Sequence, residues 1–136
     1  MSLLEALVIS LLLTFPRWQD YLESHADVVT EIHDAAVAEG LPPALLLAVC
    51  SVESRLGASR HPHRLCGVLH APREEQARIA ARSLVRRHAN CGSWPGALRM
   101  FNSGSCVREA TPGYAANVMR VWRSLDAHMP DVVCAH

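Results

Sequence analysis

The stretch Leu41–Gly57 reads LPPALLLAVCSVESRLG, an apolar run opened by prolines and carrying one carboxylate near its end. Pro42 and Pro43 lack amide hydrogens where a first helical turn leaves them unpaired anyway, so a helix is predicted from about Ala44 to Leu56. On it, the neighbours of Glu53 at three and four residues are Val49, Cys50, Leu56 and Gly57. The carboxyl therefore shares the apolar face of the helix. Desolvation raises a carboxyl pKa, which suits a general acid near neutral pH. The other reading is a helix-end Glu that reaches solvent or pairs with Arg55 or Arg60.

Upstream, Ser24 is a plausible N-cap with Asp27 in the first turn, and Val28, Val29, Ile32, Ala36 and Val37 recur at helical spacing up to Gly40. Before it, Leu3 to Phe15 is an apolar run broken by Glu5, with no Arg ahead of it and no small-residue cleavage site behind it. It makes a poor signal peptide. At about 13 residues it falls short of the ~20 that span a bilayer. A helix packed on the domain or on a partner is expected.

Downstream, Gly57 to Pro72 shows no sustained period and is read as loop with a short extended piece. Pro72, Glu74 and Glu75 mark a helix start, and that helix runs to about His88. Ser93-Trp94-Pro95 opens a short helix reaching Phe101 or Asn102, and Thr111-Pro112 opens the last, with Val118, Met119, Val121, Trp122 and Leu125 facing the core. The expectation is an all-α domain of five to six helices with a central irregular loop and little or no β structure. Residues 24–136 form the domain, and residues 1–23 form an apolar helix and connector that can dock.

The chain has 136 residues, half of them apolar and 19% charged, which fits one folded domain and not a disordered chain. Its formal net charge of zero argues against nucleic acid as a partner. His61, His63, Cys66 and His70 are ligand types that suit zinc, but their spacing matches no common zinc pattern. No metal and no cofactor are expected. The five cysteines leave at least one unpaired within a monomer. Cys91 and Cys106 flank a helix of roughly nine residues, whose ends lie ~13 Å apart, while a disulfide needs Cα atoms within ~7 Å. Cys50 is read as a small core residue.

Four segments, taken together, resemble the soluble lytic transglycosylase family. Leu41 to Val49 followed by Val52-Glu53-Ser54 is similar to its first motif, in which a proline-started apolar helix delivers a catalytic Glu followed by Ser. Gly67-Val68-Leu69-His70 resembles the second, usually Gly-Leu-Met-Gln, and Met100-Phe101-Asn102-Ser103-Gly104 resembles the third, usually Ala-Tyr-Asn-Ala-Gly. Thr111 to Val118 resembles the fourth, where a Tyr, here Tyr114, opens the closing helix. The segments keep the family order over about Leu41 to Trp122.

The resemblance implies a lysozyme-like fold and cleavage of the MurNAc–GlcNAc β-1,4 bond in peptidoglycan. It makes Glu53 the single acid/base, giving 1,6-anhydroMurNAc ends. Ser54 becomes its partner, Leu69 and His70 line the cleft, Phe101 and Asn102 sit beneath the Glu, and Tyr114 borders the sugar. Cys66 and Cys106 adjoin motifs that converge at the cleft in that fold, which implies a Cys66–Cys106 bridge. Glu109 stands near, though one residue off, a Glu that the family often carries before the last Tyr.

Two positions depart from the pattern: His70 stands for the usual Gln and Phe101 for the usual Tyr. They leave two alternatives: a catalytically weak lysozyme-like module that is structural or binds glycan, and a hydrolytic lysozyme. The expected partners are peptidoglycan strands and, through residues 3–15, other virion or envelope proteins. The expected place of action is the cell wall or periplasm. With no convincing signal peptide, carriage by a bacteriophage virion is one route there.

Overall fold

The computed structural model describes residues 2–59 and 61–134. Their α-helices are α1 (Leu3–Thr14), α2 (Gln19–Ser24), α3 (Ala26–Glu39), α4 (Pro43–Ser54), α5 (Gln76–Cys91), α6 (Trp94–Ser103) and α7 (Tyr114–Cys134), and no strand occurs among them. The all-α expectation holds. The helix count is higher than expected because α2 forms from a short polar segment that buries only Leu22.

Helix α4 is the axis of the fold. Every residue from Ala44 to Ser51 is buried, so it is apolar all round and needs neighbours on each side, which α3, α5 and α7 supply. Its one early hydroxyl, on Ser51, donates to the Leu47 carbonyl at 2.6 Å and so enters the core satisfied. The helix ends two residues earlier than predicted. Arg55 and Leu56 take left-handed φ values of 52° and 57°, which stops the helical ladder and turns the chain towards the central loop. Leu56 is nonetheless fully buried, and packing holds it there.

Among the described residues the central segment contains no extended piece. It folds instead into 3₁₀ turns at Pro62–Arg64 and Arg73–Glu75. Val37, expected on the inner face of α3, is 58% exposed, and Ala35 is buried in its place beside the expected Ala36.

Helix α1 packs along α7, with Ser10 Oγ 3.2 Å from Met129 Sδ and the Thr14 and Ser124 hydroxyls 3.1 Å apart. Leu7, Leu11 and Leu22 belong to the same hydrophobic core as Leu46 and Val118, so residues 3–22 are built into the domain. Leu3 and Leu13 on the outer side of α1 remain about half exposed. Among the described residues no helix is long and apolar enough to cross a membrane.

Candidate active site

Glu53 is the penultimate residue of α4. Its carboxyl is largely withdrawn from water, and that burial pushes its pKa above the ordinary carboxylate range. It forms no ion pair with Arg55, and Arg60 lies outside the described residues. The Tyr114 hydroxyl, at the start of α7, faces it and partly offsets the shift by favouring the charged form. That hydroxyl is buried yet meets no partner at full hydrogen-bond geometry among the described residues. Burial first, and the Glu53 charge second, raise the phenol pKa, so Tyr114 stays a neutral donor.

Gly67 also lies against the carboxyl. Its φ of 79° lies in the left-handed region, and a Cβ built there would overlap Glu53 Cδ and Oε2. Only glycine satisfies both the backbone and the contact.

The loop that carries Gly67 is tied down three times. Cys66 is disulfide-bonded to Cys50, one turn before Glu53 on α4, with Cα atoms 4.2 Å apart. The Ser54 hydroxyl donates to the Leu65 carbonyl at 2.6 Å and accepts from the Gly57 amide at 2.8 Å. Gln76, fully buried at the start of α5, accepts from the amides of Cys66 and Val68 at 3.3 and 3.1 Å. Its Nε2 donates to the carbonyls of Val68 and Ala71 at 2.6 and 3.0 Å. One side chain thus satisfies four backbone groups of an irregular loop.

Gly67 also lines a cavity of about 240 Å³, walled by Val68, Leu69, Ile79, Ser83, Arg87, Phe101 and Asn102. Leu69, expected to line a cleft, is in its wall, and so are Phe101 and Asn102, expected beneath Glu53. His70 is exposed, has φ 66° and does not line it. Ser54, only 2% exposed, acts as a tie from beneath and does not face the cavity. Asn102 accepts from the amides of Ala110 and Thr111 at 2.8 and 3.0 Å, which holds the loop leading to α7. Glu109 accepts from the Tyr114 amide at 3.0 Å and lies 3.8 Å from Arg99, so it caps α7.

The expected Cys66–Cys106 bridge is replaced by two others, Cys50–Cys66 and Cys91–Cys106. The helix-length objection to Cys91–Cys106 fails because Cys106 does not sit at the far end of α6. The chain turns at Gly104 and runs back along that helix, so that the Arg99 guanidinium reaches the Cys106 carbonyl at 3.4 Å and the two Cα atoms come within 5.7 Å. Cys134 is the fifth cysteine, and its side chain lies outside the described residues. No group of three metal-ligating side chains gathers among the described residues, and His61 and His63 are exposed.

Gln76 was not singled out from the sequence, although its place was signalled. Ala77, Ala80, Ala81 and Leu84 are buried on α5, and position 76 lies one turn before Ala80 on the same face. Comparison with protein-family models, curated proteins and solved structures finds no match to this chain.

Proposed function

We propose that this chain is a peptidoglycan lytic transglycosylase with a lysozyme-like fold, and that Glu53 is its catalytic acid and then base. The observation that carries this reading is the Glu53 carboxyl, desolvated at the end of a buried helix, faced by a neutral tyrosine and pressed against a glycine that borders a cavity. A carboxyl with a raised pKa holds its proton to higher pH than a free one, which suits it to give that proton to a leaving oxygen. Protonating the glycosidic oxygen breaks the bond to the MurNAc anomeric carbon. The resulting carboxylate takes the proton of the sugar's 6-hydroxyl, whose oxygen closes on that carbon, so Glu53 ends protonated and no water is consumed.

Hydrolysis would call for a positioned water and usually a second carboxylate. Glu109, the second carboxylate nearest by motif, is engaged by the α7 amide and Arg99. This favours transglycosylation over a hydrolytic lysozyme. The disulfides Cys50–Cys66 and Cys91–Cys106 suit an oxidising compartment, in keeping with action in the cell wall or periplasm, including delivery by a virion. The specific support for a glycan-binding module with little turnover is Phe101, which brings no hydroxyl to the cavity wall.

The test is digestion of purified peptidoglycan by the wild type and by Glu53→Gln, with the released muropeptides read by mass. Products one water lighter than hydrolysed ones, and a loss of at least about a thousandfold in the variant, are expected. Products at the hydrolysed mass would make the chain a lysozyme, and no release by the wild type would leave the binding module.

A further inference from the structure

Arg87 lies on α5 one turn beyond Ser83, and both line the cavity beside Phe101 and Asn102. Its Nε is buried and has no hydrogen-bond partner among the described residues. No described carboxylate is within ion-pair distance of it. A buried N–H without a partner costs free energy, so the side chain gains by any shift into the cavity that lets a ligand meet it. A guanidinium presents a planar fork of donors whose best match is the two oxygens of a carboxylate.

We infer that Arg87 is the anion-recognising residue of this cleft and takes a carboxylate carried by the muramic acid of the glycan. The inference rests on the peptidoglycan reading above. The sugar rings of that polymer are neutral, so a cation in the cleft has carboxylates as its only charged partners. They come from two sources: the lactyl group, whose carboxylate is free where the peptide has been removed, and the attached peptide where it remains. Either source separates this polymer from chitin-like glycans, which carry no carboxylate. Arg87 is thus a specificity residue, and Ile79 and Phe101 in the same wall reduce its competition with water.

The test is calorimetric binding in the Glu53→Gln background, where glycan is not consumed. The probes are a peptide-bearing glycan fragment, the same fragment stripped of peptide by an amidase, and a chito-oligosaccharide of equal length. Arg87→Met should weaken binding of one or both carboxylate-bearing fragments about tenfold and leave the chito-oligosaccharide unchanged. Arg87→Lys should restore part of the loss, with melting temperatures matched across the set. A loss confined to the peptide-bearing fragment assigns the peptide carboxylate, and one confined to the stripped fragment assigns the lactyl carboxylate. Equal loss on all three probes, or none on any, overturns the role of Arg87 while leaving the peptidoglycan reading standing. A folded Glu53→Gln protein that binds none of the probes overturns both.

Discussion

The 65–71 and 104–113 loops each carry a disulfide but differ in how their hydrogen bonds are placed. The 65–71 loop is anchored from below by buried groups: the Cys50–Cys66 disulfide, Ser54 and the four bonds of Gln76. The 104–113 loop has its own disulfide, Cys91–Cys106, but its other ties lie nearer the surface: Asn102 on the amides of Ala110 and Thr111 and Ser103 on the Arg108 carbonyl, and its Val107 is 78% exposed. Water can replace a surface hydrogen bond at little cost, while a buried group that loses its partner keeps the full desolvation penalty. The first loop sets the surroundings of Glu53 and is over-determined. The second is tied to Asn102 of the cavity wall.

The largest effect should come from Gly67→Ala. A left-handed backbone costs a residue with a Cβ about 1–2 kcal/mol, and the new methyl displaces the Glu53 carboxyl. A misplacement of about 1 Å costs on the order of a hundredfold in rate. Glycan cleavage should fall by at least that much while urea denaturation shows a modest loss of stability. An active Gly67→Ala enzyme would mean that the contact does not position the acid.

The two disulfides close chain segments of nearly equal length, with separations of 16 and 15 residues. The unfolded-chain argument therefore gives each about 3 kcal/mol. Replacing Cys50 and Cys66 by Ala should also cost about tenfold or more in activity at a temperature where the protein stays folded, because Cys66 adjoins Gly67. Replacing Cys91 and Cys106 should cost stability alone. Equal activity losses would contradict the assignment of the first bridge to the acid's surroundings.

A smaller contrast is expected between Gln76→Ala and Asn102→Ala. The first strips four backbone groups of a buried partner and should cost about 3 kcal/mol, and the second exposes two amides that water can reach and should cost about 1 kcal/mol. Chemical denaturation of the two variants side by side checks the order.

The helical part of this design was legible because its signals are local. Proline starts, the glycine after α3 and the run from Ala44 to Leu47 report on their own neighbourhoods, and so does the apolar face that Glu53 shares. What escaped was set by chain paths between elements. The course of the chain after Gly104 decides the Cys91–Cys106 pairing, and no periodicity in the sequence reports it. Helix α2 has too little amphipathic pattern to stand out, since tertiary contact at Leu22 and the Tyr21 hydroxyl on the Leu56 carbonyl hold it. The bonds of Gln76 span five to ten residues of an irregular loop, so its role emerges only when that loop is folded.

The most direct measurement is the titration of the Glu53 carboxyl by ¹³C NMR, assigned by the signal lost in Glu53→Gln and compared with the pH profile of peptidoglycan cleavage. A group raised by burial holds its proton to higher pH in the folded protein, so the acid form, and activity with it, should decline as pH rises through that raised value. The account predicts a midpoint above the ordinary glutamate range of about 4.3, with the alkaline limb of activity following it. A carboxyl that titrates at or below that range, or activity that persists unchanged once Glu53 is ionised, would contradict the claim that this buried acid drives the reaction.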